Sequence, residues 1–196
     1  MCLDHGKTIS TPFGNVVEER KMAYTLDHFC KDCSALIGSG KPVAESLPVM
    51  SEKLGQLLAN PEFVAATFKP EDDFSKKLLH HDPATDFYVL AHVHQGPKEG
   101  PPHSHGASWA IYGTAMGVTG MKEWRRTNPE SEAGATLVMS QHYELKKCQT
   151  RGYGPHMIHS TIHPAKAWVI RVTGTNLDEL PRYRFNRNRD RIVEAA

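Results

Sequence analysis

Gly100-Pro101-Pro102-His103-Ser104-His105-Gly106 is the stretch whose residue types and spacing carry chemistry most directly. Alternate side chains share a face on an extended chain, so His103 and His105 are expected to point the same way. Two imidazoles on one face can share a metal ion, and imidazole suits iron, zinc, copper and nickel. A third ligand must come from a segment distant in sequence and near in space. The run Gly152-Tyr153-Gly154-Pro155-His156-Met157-Ile158-His159-Ser160-Thr161-Ile162-His163 offers three histidines after a Gly/Pro-rich turn. The residues alone leave His156, His159 and His163 open for that place.

Other groups read more blandly. His92 and His94 form a second His-x-His pair without the Gly/Pro lead-in, which suits a surface position or a hydrogen bond to a metal ligand. Cys30-Lys31-Asp32-Cys33 falls on a predicted helix with no second pair, so core packing is expected. His80-His81 reads as a helix end, where polar or cationic groups suit the dipole. The five arginines of the tail (Arg182, Arg184, Arg187, Arg189 and Arg191) are interrupted by Asp190 and read as a solvated final hairpin around Asn186–Asn188.

Composition narrows the function classes. Lys plus Arg number 23 and Asp plus Glu 22, a net charge of +1; a nucleic-acid binder usually carries a clear basic surplus. No apolar run reaches the 18 or so residues of a membrane span. The first twenty residues lack the apolar core of a secretion signal, so a cytoplasmic location is expected. Four cysteines in 196 residues, Cys2, Cys30, Cys33 and Cys148, do not make a disulfide framework.

The elements that must position these groups fall into two textures. Apolar spacing predicts helices over Tyr24–Ile37, over Pro42–Ala59 with Pro48 as a bend, and from Pro61 behind the N-cap Asn60. A further helical turn is expected over Phe74–His80. From about residue 84 the chain shows short β-rich runs: Phe87–Val93, Ser108–Tyr112, Gly117–Arg125, Ala135–Met139, Tyr143–Lys147, His156–Thr161 and Ala167–Thr173. Such spacing suits a sandwich or small barrel, not βαβ units. The expected organisation is an N-terminal arm and helices over 1–83, a barrel over 84–176 and a basic tail over 177–196. On the last barrel strand Val169, Arg171 and Thr173 share one face and Trp168, Ile170 and Val172 the other. The second face is the better core face, which leaves the direction of Arg171 open.

Pro102-His103-Ser104-His105, followed by a short strand, resembles the first motif of the cupin superfamily. The run from Gly154 through His159 to His163 resembles its second motif, with His159 in the metal-ligand position. The resemblance spans roughly residues 85–175 and implies a mainly β fold, a double-stranded β-helix barrel with an N-terminal helical segment. Many cupins carry a glutamate ligand four or five residues after the second histidine; Trp109 and Ala110 stand there. Three neutral imidazoles remain, a pattern similar to the cysteine dioxygenase-like thiol dioxygenases, which hold Fe(II) with three histidines. The lead-in from Lys77 through Asp82-Pro83 to Asp86-Phe87-Tyr88 is also similar to that family. The family's Ser-His-Tyr relay is not retained, since Val169, Arg171 and Thr173 stand at the matching positions.

The expected function is therefore a three-His Fe(II) dioxygenase acting with O2 on a small acidic, thiol-type substrate. His103, His105 and His159 are the metal ligands, and Arg171, Tyr112, Trp109 and Lys77 are substrate-binding candidates. No residue is assigned as catalytic. Three neutral ligands leave the metal its full charge, which favours anionic donors, and Arg171 could clamp a carboxylate bidentately. Nickel, zinc, manganese or cobalt can occupy such a site in place of iron. The alternatives are a cupin lyase, isomerase or C–C cleaving dioxygenase at the same metal, or a ligand-binding cupin without turnover. The resemblance also implies a homodimer; no nucleic acid or membrane partner is expected.

Overall fold

The computed structural model describes residues 23–181, 183–186 and 188–194, and the backbone pairing of β1 (Ile9–Ser10) with β2 (Val16–Val17). Cys2, Arg182 and Arg187 lie outside the described residues. Helix α1 (Leu26–Ile37) starts at Thr25, whose hydroxyl accepts from the His28 backbone N–H while the His28 ring faces the Thr25 N–H, a reciprocal cap. Helix α2 (Val43–Leu58) runs through Pro48. Helix α3 (Pro61–Thr67) is capped by Asn60, whose side-chain oxygen accepts from the Glu62 N–H at 3.0 Å. None of these helices is long and apolar enough to cross a membrane.

The strands are β3 (Lys77–His81), β4 (Tyr88–His94), β5 (Lys98–Glu99), β6 (Ala110–Met116), β7 (Thr119–Arg126), β8 (Thr136–Leu145), β9 (Thr150–Tyr153), β10 (Ile158–His163), β11 (Ala167–Thr173) and β12 (Arg191–Val193). They form two five-stranded sheets, ordered β3-β4-β11-β6-β9 and β12-β8-β7-β10-β5. Every pairing in them is antiparallel except β12 with β8. The inner order β4-β11-β6-β9 facing β5-β10-β7-β8 is the two-sheet jelly roll of a double-stranded β-helix. The mainly β barrel with an N-terminal helical part is thus the fold of this chain.

The main apolar core lies outside the barrel. Phe29, Met50, Leu54, Leu57, Phe87 and Ile170 are all at 0% exposure, packed between the helices and the outer face of the first sheet. Each contributes about 1.5–3 kcal/mol by burial. Cys30 and Cys33 belong to this core, and burial pushes their thiols up, Cys30 to about 12. The inner faces hold a smaller apolar cluster, Ala110, Tyr112, Met121, Leu145, Tyr153 and Val169, and many polar side chains.

Several sequence expectations need correction. Phe74–His80 is not helical: Lys77–His81 pairs with β4, because an edge beside Tyr88–Ala91 offers backbone partners that an isolated turn lacks. His81 stacks on Tyr88 at 4.1 Å and does not cap a helix. The two runs expected over Ala135–Met139 and Tyr143–Lys147 fall on one continuous strand, β8 (Thr136–Leu145), and not on two. The tail makes a turn at Asn186–Asp190 and then a parallel strand on β8, so it is not a hairpin. Its hold includes Lys122, 6% exposed, whose ammonium pairs with Glu99 and Glu194 at 2.9 Å each.

Candidate metal centre

His103, His105 and His159 come together: one ring nitrogen from each lies within 4.8 Å of the others. No carboxylate or thiol joins a cluster of this kind among the described residues. The route to this geometry differs from the expected strand alternation. His103 forms an isolated bridge, giving its N–H to the His159 carbonyl at 2.9 Å and accepting from the His159 N–H at 3.0 Å. His105 opens a turn in which Gly106 adopts φ +58°, and a Cβ there would sit 2.8 Å from the Pro181 carbonyl oxygen. Glycine is the residue that meets both demands. The His103 and His105 rings end 5.2 Å apart, and His159 lies 4.7 and 4.8 Å from them.

The other flank of the His103 segment is held by the tail. Ser104 donates to the Tyr183 carbonyl at 3.0 Å, and Phe185 donates to the Pro102 carbonyl at 2.9 Å. The ligand segment is therefore bonded on both sides, to β10 and to residues 183–185. His103 Nδ1 lies 3.1 Å from the Pro101 carbonyl oxygen, so this nitrogen carries the hydrogen and Nε2 keeps its lone pair.

The donor set fits a divalent transition metal. His159 is at 0% exposure, and its Nδ1 meets no partner in full hydrogen-bond geometry among the described residues. Burial, reinforced by His103, holds its pKa at about 3, so the ring is neutral, the ligating form. Tyr153 stacks on His159 with centroids 4.6 Å apart and planes 11° apart, which fixes the ring. The Tyr153 and Tyr143 hydroxyls are 2.6 Å apart, and Tyr143 donates to Glu123 Oε1 at 2.7 Å. Arg151 also donates to that oxygen, at 3.0 Å. Burial pushes the Tyr143 phenol up to about 12 and the Tyr153 phenol higher still. Glu123, 5% exposed, is thus committed to Tyr143 and Arg151.

Tyr112 sits at the triad. Its hydroxyl oxygen is 3.3 Å from Nε2 of His105 and 3.3 Å from Nε2 of His159. Arg171 is the cross-strand partner of Tyr112, and directly opposed residues share a face, so Arg171 points to the barrel interior. Two other substrate-binding candidates are elsewhere. Trp109 packs in the helix-side core against Gly174, whose added Cβ would meet the indole at 2.4 Å, because it precedes Ala110 and takes the opposite face. Lys77 is exposed on edge strand β3, opposite the helix-facing Ala91, with its ammonium over Phe74.

The other candidate ligands lie apart from the triad. His156 is exposed in a turn at φ +63°. His163, 2% exposed, stacks on His94 at 3.6 Å. Sequence reasoning missed Tyr153, Tyr143, Glu123 and Arg151. Tyr153 stood in the Gly/Pro-rich turn that leads into the second motif, and that position was a signal; Glu123 had none. Surface cavities of about 210, 410 and 410 Å³ occur at the tail, beside Pro101–Trp124 and beside Phe68–Trp168, and no triad residue lines them.

No protein-family model matches this sequence, and no curated protein is similar to it at a significant level. Solved structures share the barrel distantly. An uncharacterized conserved protein with a double-stranded β-helix domain from Klebsiella pneumoniae is 13% identical over 62% of this chain and 88% of its own, with a TM-score of 0.42. KdgF from Halomonas sp. is 17% identical over 59% of this chain and 95% of its own, with a TM-score of 0.42. The DMSP lyase DddQ from Ruegeria pomeroyi is 12% identical over 57% of this chain and 51% of its own, with a TM-score of 0.41. The fold assignment rests on the strand order of the chain itself.

Proposed function

We propose that this protein is a metal-dependent enzyme, a three-His Fe(II) dioxygenase that converts a small thiol-bearing acid to its sulfinate, both oxygens of O2 ending on sulfur. The observation that supports it is the convergence of His103, His105 and His159 with no carboxylate among the described donors. Bound divalent iron would supply a Lewis-acidic, redox-active centre able to accept a soft thiolate donor. The chain's own residues do the remaining work. His103 and His159 hold each other's backbone, and Tyr153 fixes the His159 ring. Tyr112 places a hydroxyl where a proton can be given to or taken from a bound substrate. Arg171 adds a cation to the same inner face, which draws an acid.

The test is oxygen uptake by anaerobically Fe(II)-loaded protein with cysteine, 3-mercaptopropionate, cysteamine and mercaptosuccinate. Uptake with at least one thiol, lost in His159→Ala, is the expected result. No uptake with any thiol by protein holding stoichiometric iron would overturn the dioxygenase assignment. A second reading, a lyase or isomerase at the same metal, is favoured by the Tyr112 hydroxyl between two ligands and by Val169, Arg171 and Thr173 standing where a relay would be. Substrate turnover under argon separates it from the first.

A further inference from the structure

We propose that the barrel contains a second, oxyanion-binding subsite built from Arg171, His92 and the stacked pair His94–His163, which receives the acid group of a small ligand. It deepens the metal-enzyme reading and rests on it in one respect, that the ligand is the substrate whose other end meets the triad.

The placement follows from register. Val89, Ala91 and Val93 of β4 pack toward the helices, so Leu90, His92 and His94 face inward. Val169 pairs with His92 and Arg171 with Leu90, which puts Arg171 on the same inner face. On β10, His159 and His163 are four residues apart and share a face, roughly 13 Å apart at ~3.3 Å per residue. The His94 and His163 rings lie 3.6 Å apart and 9° from parallel, and His92 lies 6.1 Å from His94. A continuous polar lane therefore runs inside the barrel from the triad past Arg171 to the second histidine cluster.

This lane has unmet hydrogen bonds. Six buried side-chain polar atoms lack a partner among the described residues, and Arg171 Nε, His92 Nε2 and His163 Nδ1 are three of them. Burying such a group unpaired costs about 1–3 kcal/mol, and His92 and His163 are only 9% and 2% exposed. No acidic side chain of the described residues lies within ion-pair distance of Arg171, whereas Lys76 is held by Asp178. The charges that act on these rings are positive: Arg171 and Lys76 on His92, Lys98 and Arg171 on His94, Lys98 on His163. A part-exposed guanidinium whose Nε is buried and unpaired, in a positive lane without a carboxylate, calls for an anion. His92 Nδ1, 2.6 Å from the Ser75 carbonyl oxygen, carries the hydrogen, so its Nε2 presents a lone pair. An ionised acid meets the first need, its oxyanion accepting from Arg171; a hydroxyl or amino group elsewhere on the same ligand would donate to His92 Nε2. Arg171, His94 and Thr161 are part-exposed, so solvent reaches part of each of these residues.

The test uses the full-length protein, freed of metal by chelation and dialysis so that the triad cannot bind the anion through an ion. Sodium acetate is titrated against matched sodium chloride, with the 15N resonances of Arg171 Nε and of the histidine rings as readout. The expected result is a saturable shift of Arg171, His92, His94 and His163 with acetate and none with chloride, weakened at least tenfold in Arg171→Met. Unsaturable shifts in the natural protein would overturn the subsite, as would unchanged affinity in a folded Arg171→Met variant. A parallel iron titration separates the two readings. Iron binding without acetate saturation removes the subsite alone; acetate saturation without iron binding keeps the subsite and removes the substrate assignment of its occupant.

Discussion

Lowering the pH from 7.5 to 5.0 should cost this fold about 4 kcal/mol through His92 and His163 alone, at ~1.36 kcal/mol per unit of pKa. Burial is the first cause holding both imidazoles at about 3, with Arg171 assisting at His92 and His94 at His163. An imidazole in the unfolded chain titrates near ~6.5. Between that value and the folded one the unfolded chain binds more protons, so falling pH favours unfolding. Integrated from pH 7.5 to 5.0, each ring contributes about 2 kcal/mol, against a total stability of about 5–15 kcal/mol for a typical domain. His94, held at about 4 chiefly by burial, is part-exposed and adds less. The lowered carboxylates Asp32, Asp82 and Asp86 lose their contribution only as the pH falls through and below the unfolded value near ~3.9, outside this window. The assay is urea unfolding at the two pH values, natural chain against His163→Gln, both metal-free. The variant should recover about 2 kcal/mol of the loss. Equal stability of the natural chain at pH 7.5 and 5.0 would refute the argument, as would an undiminished loss in His163→Gln.

Three further outcomes follow from the centre and its supports. His159→Ala should lower iron affinity by more than the roughly 10–100-fold typical of removing an outer partner, read by metal analysis after gel filtration. Tyr112→Phe should leave iron stoichiometry intact and slow turnover by about 10²–10⁴-fold if the hydroxyl moves a proton; unchanged kcat with full iron occupancy would remove that role. Ser160→Ala should destabilise the fold by about 1–3 kcal/mol, because it leaves the buried Trp124 indole N–H, now 3.0 Å from the Ser160 hydroxyl, without an acceptor; chemical denaturation checks it.

The three helices, most of the barrel strands and the His103/His105 pair were legible in the sequence, because apolar spacing, the Asn60-Pro61 cap and the Pro-Pro-His-Ser-His run are local signals; His159 was singled out from His156 and His163 only by the family resemblance. The interior was not. On β11 the apolar face of Trp168, Ile170 and Val172 does enter a core, but that core lies between barrel and helices. Arg171 therefore faces inward, which alternation alone left open. His103 and His105 converge through a bridge to β10 and a glycine turn, not through one strand face, and those contacts join residues more than fifty positions apart. The pairing of His94 with His163 is equally distant in sequence, and Glu123, Tyr143, Tyr153 and Arg151 meet across neighbouring strands whose register no local pattern shows. Residue types show which groups can bind a metal or an acid. Which of them share a space depends on which sheet face meets the helices, and that is decided when the two sheets close.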